Sequence, residues 1–126
     1  MHYLTITTHF SSAHQLRSYP GDCARLHGHN WKIKLIFQAP RLNALGMGID
    51  FKELKQKINP VIQRYDHQYL NDLPEFSQCN PTAEHIAEVL FRAIQAIPLP
   101  EITLNEVEVF ESDQYSVIYR ESSPHQ

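Results

Sequence analysis

The chain holds only two cysteines, Cys23 and Cys79, and four glycines in 126 residues. A secreted scaffold of this size usually carries more disulfides, so both cysteines are read as free thiols in a reducing cytoplasm. No phosphate-binding glycine loop, dinucleotide fingerprint or serine nucleophile elbow is present, which removes several nucleotide-binding and hydrolase readings. Lysine and arginine nowhere cluster and the formal net charge is −3, so no nucleic-acid partner is expected. No apolar run approaches a membrane span. The opening Met1-His2-Tyr3-Leu4-Thr5 lacks the basic and apolar stretches of a signal peptide, which again points to the cytoplasm. Repeats and low-complexity segments are missing too. What remains is one domain over residues 1–126, with 42% apolar and 20% charged residues and enough length for a single core.

Histidine is what the chain has in abundance, with eight. His2 and His125 sit near the termini and carry no expectation. His27-Gly28-His29 is different. In a strand, residues i and i+2 point to one face, so both rings can address one metal ion. Residues 3–10 are rich in β-branched and aromatic types and read as a strand, with Leu4, Ile6 and Phe10 on one face. Residues 29–38 alternate cleanly, with Trp31, Ile33, Leu35 and Phe37 on the face that also takes His27 and His29. Antiparallel pairing of these strands would bring His14 to the other two imidazoles. Three histidines around zinc leave a coordination position open, the catalytic rather than the structural pattern. The bland alternative is a surface or packing pair.

The middle of the chain is helical. Asp50-Phe-Lys-Glu53 matches a capping box, and Phe51, Leu54, Ile58, Val61, Ile62 and Tyr65 follow at helical spacing, predicting one helix over about 51–65, bent at Pro60. Asn80 or Thr82 caps a second helix whose stripe is Ile86, Val89, Leu90, Ala93, Ile94 and Ile97, stopped by Pro98 and Pro100. Leu104–Glu111 and Gln114–Arg120 alternate around Ser112-Asp113 and read as a tight hairpin. The order β-β-α-α-β-β predicts an α+β domain: a four-stranded antiparallel sheet with two helices on one face.

Four further groups carry possible chemistry. Cys23 follows turn residues; near a cation its thiol would be activated as a base, or it would be a fourth ligand, against the alternative of an inert cysteine. Asp66 and His67 close the first helix. As sequence neighbours they do not form the usual hydrogen-bonded pair trivially, though at a helix end their side chains can converge on a third group; the alternative is a capping histidine and a solvated aspartate. Glu111 shares a face with Val107 and Val109 and would need a bidentate donor if buried, unless the strand has frayed there. Glu84 suits the first turn of its helix and Thr82 its cap.

In register, His14, Cys23-x3-His27-Gly28-His29, Gly46-Met47-Gly48-Ile49-Asp50-Phe51, Asp66-His67-x2-Leu70-Asn71, Pro81-Thr82-x-Glu84 and Glu111 resemble the 6-pyruvoyltetrahydropterin synthase family over nearly the whole chain. The short gap from Cys23 to His27 is most similar to the bacterial branch, the 6-carboxytetrahydropterin synthases of queuosine biosynthesis. The resemblance implies the tunnelling fold, with sheets closing into a barrel in a trimer and two trimers forming a hexamer. It implies Zn2+ on His14, His27 and His29, Cys23 as catalytic base, and Asp66 and His67 as its partners in proton transfer. Glu111 would anchor the pterin ring, with Thr82 and Glu84 in the pterin pocket. The implied activity is a carbon–carbon lyase acting on 7,8-dihydroneopterin triphosphate. The alternatives are a pyruvoyl-forming synthase, which only eliminates triphosphate, and a non-catalytic zinc- or pterin-binding module.

Overall fold

The computed structural model describes residues 1–18 and 25–121. Two long strands, β1 (His2–His14) and β2 (His27–Ala39), run antiparallel along their full length. The even residues of β1 and the odd residues of β2 face inward, and Trp31, Ile33, Leu35, Phe37 and Ala39 are fully buried. Burying such a stripe beneath helices is the main stabilising term of the domain. Helix α1 (Phe51–Tyr65) has the expected bounds, and Asp50 accepts from the Lys52 N–H as its cap. Pro60 lies within it without splitting it. It sits on the exposed face, where the carbonyl of Gln56 one turn back can turn to water. The buried stripe is Leu54, Ile58, Ile62 and Tyr65, while Phe51 is exposed.

Helix α2 (Ala83–Gln95) is capped by Thr82, whose hydroxyl accepts from the His85 N–H. Its buried stripe is Ala83, Ile86, Ala87, Leu90, Phe91 and Ile94, rotated slightly from expectation so that Phe91 packs edge-on to Tyr119 at 5.2 Å. Helix α1 lies over β1, and α2 over the final hairpin, β4 (Thr103–Phe110) and β5 (Ser116–Tyr119).

Among the described residues the sheet has five strands rather than four, in the order β3-β1-β2-β4-β5. The extra strand, β3 (Gln68–Tyr69), is parallel to β1. It forms because the His67 N–H donates to the Ser11 carbonyl and drags the next two residues alongside β1. A two-residue strand carries no readable alternation. The last hairpin is also looser than expected: residues 111–115 connect the strands, closed by the Glu111 N–H on the Tyr115 carbonyl. At the other end of β1 and β2, Gly48 presses on the strand pair. A Cβ there would meet the Ala39 Cβ at 2.8 Å and the Leu4 Cδ1 at 3.0 Å, so only glycine fits unless something shifts.

Candidate active site

Register places the histidines. His14 is directly opposite His27, and Ser12 is opposite His29. All three rings lie on the inward phase of their strands, at the end of the sheet away from Gly48. His14 is 2% exposed. Ring centroids are 4.4 Å apart for His14 and His27, 5.9 Å for His14 and His29, and 6.1 Å for His27 and His29. Trp31 forms the floor, edge-on to His14 at 5.2 Å and tilted against His29 at 4.5 Å.

The outer nitrogens define what the inner ones can do. His14 Nδ1 lies 2.8 Å from the Pro81 carbonyl, and His27 Nδ1 lies 2.8 Å from the Arg25 carbonyl. A carbonyl only accepts, so each Nδ1 carries the proton and each Nε2 of a neutral ring presents a lone pair. Those two Nε2 atoms face each other at 2.8 Å. Two lone pairs at that distance repel unless a cation or a shared proton lies between them. Burial, the largest influence on each, holds the pKa values of His14 and His29 below the usual histidine value, which keeps these rings neutral and able to ligate. The donor set, three imidazoles of which His14 and His27 have carbonyl-fixed ring nitrogens, suits a borderline cation such as zinc. As they stand, however, two rings converge and the third stands off. His29 Nε2 lies 4.0 Å from Glu111 Oε1, and among the described residues no group of three or more His, Cys, Asp or Glu side chains is drawn together tightly enough to hold a metal ion. His29 would have to turn toward the other two to complete a site. Cys23, expected as base or ligand, lies outside the described residues.

Asp66 and His67 pair directly, an arrangement that is not trivial for sequence neighbours. Asp66 Oδ2 lies 2.9 Å from His67 Nδ1, while Oδ1 accepts from the Ser11 N–H at 2.9 Å. The pairing needs the left-handed backbone of His67, φ 57°, which folds its ring back over the preceding carboxylate. The Ser11 N–H, and then His67, hold the Asp66 carboxyl below the usual carboxylate range. His67 itself is exposed, its side chain 82% accessible. It lines a cleft of about 510 Å³ formed by residues 11–13, 28–30 and 67–69.

Glu111 is not buried on the face of Val107 and Val109. It lies just past the end of β4, where the turn has begun, and its side chain is 51% exposed. It shares a small depression of about 120 Å³ with Glu84, Ala83, Tyr115, Ser116 and Val117. Thr82 stands at the head of the same helix with its hydroxyl engaged as the cap. The carbonyls of Pro81 and Arg25, which fix the two converging rings, left no signal in the sequence, since every residue has a carbonyl.

The sequence profile of the 6-pyruvoyl tetrahydropterin synthase family matches residues 3–122. The chain belongs to that family. It is 36% identical over 108 residues to the 6-carboxy-5,6,7,8-tetrahydropterin synthase of Synechocystis, covering 82% of this chain and 81% of the relative. It is 32% identical over 96 residues to the human 6-pyruvoyl tetrahydrobiopterin synthase, covering 75% of this chain and 66% of the relative. The fold agrees with the 6-pyruvoyl tetrahydropterin synthase of Caenorhabditis elegans, with a TM-score of 0.86, 24% identity and 95% of each chain covered. The protein is thus an enzyme of the pterin synthase type, as the motifs implied. No helix among the described residues is long and apolar enough to cross a membrane.

Proposed function

We propose that the chain is a zinc-dependent 6-carboxy-5,6,7,8-tetrahydropterin synthase of queuosine biosynthesis. It would convert 7,8-dihydroneopterin triphosphate to 6-carboxytetrahydropterin, acetaldehyde and triphosphate. The observation that carries this reading is the pair of facing Nε2 atoms on His14 and His27, each ring fixed through its other nitrogen. The names of relatives at 33–38% identity support the carboxy-forming product. A second reading, triphosphate elimination to a pyruvoyl product, draws on the human relative.

His14, His27 and His29 would hold zinc, which when bound supplies Lewis-acid polarisation of substrate oxygens. The remaining work falls to the chain. Asp66, anchored by the Ser11 N–H, holds His67 by Nδ1 and leaves Nε2 to give and take a proton as the side chain reacts. Cys23 is the proposed base that takes the first side-chain proton. Glu111, exposed beside Glu84, offers carboxylate oxygens to the amino-pyrimidine edge of the pterin, a bidentate match. Thr82 contributes by fixing the helix start that carries Glu84. A homohexamer built as a dimer of trimers would cover the outer edge of β5, and the cytoplasm is its proposed location.

Incubation of purified protein with 7,8-dihydroneopterin triphosphate, followed by mass spectrometry and an acetaldehyde assay, tests the assignment. Acetaldehyde with 6-carboxytetrahydropterin is the expected result. A pyruvoyl product without acetaldehyde would move the chain to the second reading, and no turnover with zinc present would leave a binding module.

A further inference from the structure

We propose that Asn71 and Asn80 are positioning residues for His14, their side-chain amides standing in for a missing neighbour strand. Strand β3 ends at Tyr69, so among the described residues the edge of β1 has no strand partner after Ala13. The bonding nevertheless continues. Gln15 N–H donates to Asn71 Oδ1 at 2.8 Å, and Asn71 Nδ2 donates to the Gln15 carbonyl at 2.8 Å. Two residues on, Arg17 N–H donates to Asn80 Oδ1 at 2.7 Å, and Asn80 Nδ2 donates to the Arg17 carbonyl at 3.0 Å. A primary amide carries the donor and acceptor of a peptide group, so each asparagine makes the double exchange that a paired strand residue makes. Alternate residues turn the same edge, which is why positions 15 and 17 both engage.

Asn80 also controls the peptide that meets His14. Its carbonyl accepts from the Thr82 N–H at 2.8 Å and lies 2.7 Å from His85 Nδ1, which fixes the turn at the head of α2. The next carbonyl in that turn, on Pro81, is the one 2.8 Å from His14 Nδ1. The Arg17 guanidinium closes the arrangement, donating to the carbonyls of Phe76, Cys79 and Asn71 at 3.0, 3.1 and 3.2 Å. One side chain therefore ties the segment just after His14 to the turn that dictates which His14 nitrogen is protonated. Aspartate at position 80 would keep the acceptor for the Arg17 N–H and lose the donor; leucine would lose both.

The consequence for zinc rests on the function proposed above, whereas the consequence for the tautomer does not. In metal-free full-length protein labelled with 15N-histidine at pH 8, His14 should be a single Nδ1–H tautomer. Asn80→Leu should give a tautomer mixture and weaken zinc, measured by chelator competition, about tenfold or more. Asn80→Asp should fall between the two, and it carries the test if the leucine variant does not fold. Asn43→Ala is the control. It removes an amide that accepts from the Leu45 and Met47 N–H groups in another loop, and should lower Tm while leaving tautomer and zinc affinity unchanged. Wild-type tautomer and wild-type zinc affinity in both Asn80 variants would overturn the proposal. If the wild-type protein binds no zinc, the zinc reading falls and the tautomer series alone decides this one.

Discussion

His14 and His67 are both held by Nδ1, yet they are held by different partners in different surroundings. His14 is buried against a neutral carbonyl, and His67 is exposed against a carboxylate. A carbonyl fixes a tautomer without inviting a second proton, and burial penalises the charged ring. A carboxylate fixes the ring equally well and sets a full negative charge beside it. The first environment suits a ligand that stays neutral; the second suits a group that must change charge during turnover. The same side chain thus meets two different surroundings, set by what accepts its hydrogen bond.

Substitution can break this contrast. His14→Ala should give the largest effect, abolishing both zinc retention and turnover, checked by metal analysis and product formation. His67→Ala should retain zinc while kcat falls by about 10²–10⁴-fold, the usual contribution of general acid–base catalysis. Loss of metal in that variant would mean that the two rings do not have separate roles. Asp66→Asn should fall less, by about tenfold, because the Ser11 N–H can still be accepted while the charge beside His67 is gone. Glu111→Ala should raise KM about tenfold or more with zinc unchanged, as expected when a charged hydrogen-bonding group is lost.

The smallest effect lies outside the site and sharpens the comparison from the acid side. Glu75 accepts two bonds from Arg64, both at 2.7 Å, and one from the Tyr65 hydroxyl at 2.8 Å. The Arg64 bonds hold its carboxyl down at about 2, against 4.5 for an ordinary glutamate. A depressed carboxyl contributes stability that is fully present above its unfolded value and is lost as pH falls through its folded value. Glu75→Gln should therefore cost about 1 kcal/mol at neutral pH, and that difference should shrink in urea melts taken between pH 4.5 and 2.

Much of the fold was legible because its signals are local and periodic. The α1 bounds follow from Asp50 and a helical stripe, and the shared inward phase of His14, His27 and His29 follows from strand alternation. What was not legible depends on single dihedrals and long-range contacts. The pairing of Asp66 with His67 hangs on one left-handed residue, and β3 on one hydrogen bond to Ser11. Glu111 leaves the alternating face because the turn begins one residue earlier than the sequence pattern ends. Asn71 and Asn80 were visible as letters within motifs, but nothing in their spacing announced that their amides would meet main chain more than fifty residues away.

The carbonyl that orients His14 belongs to a residue 67 positions further along the chain. Strands β1 and β2 by themselves set His14 opposite His27, but the carbonyl that fixes the free nitrogen of His14 is not part of that pair. Only when the head of the second helix docks does that choice become fixed. On the function proposed above, uptake of zinc would therefore follow completed folding, and a half-built molecule would compete poorly for the metal.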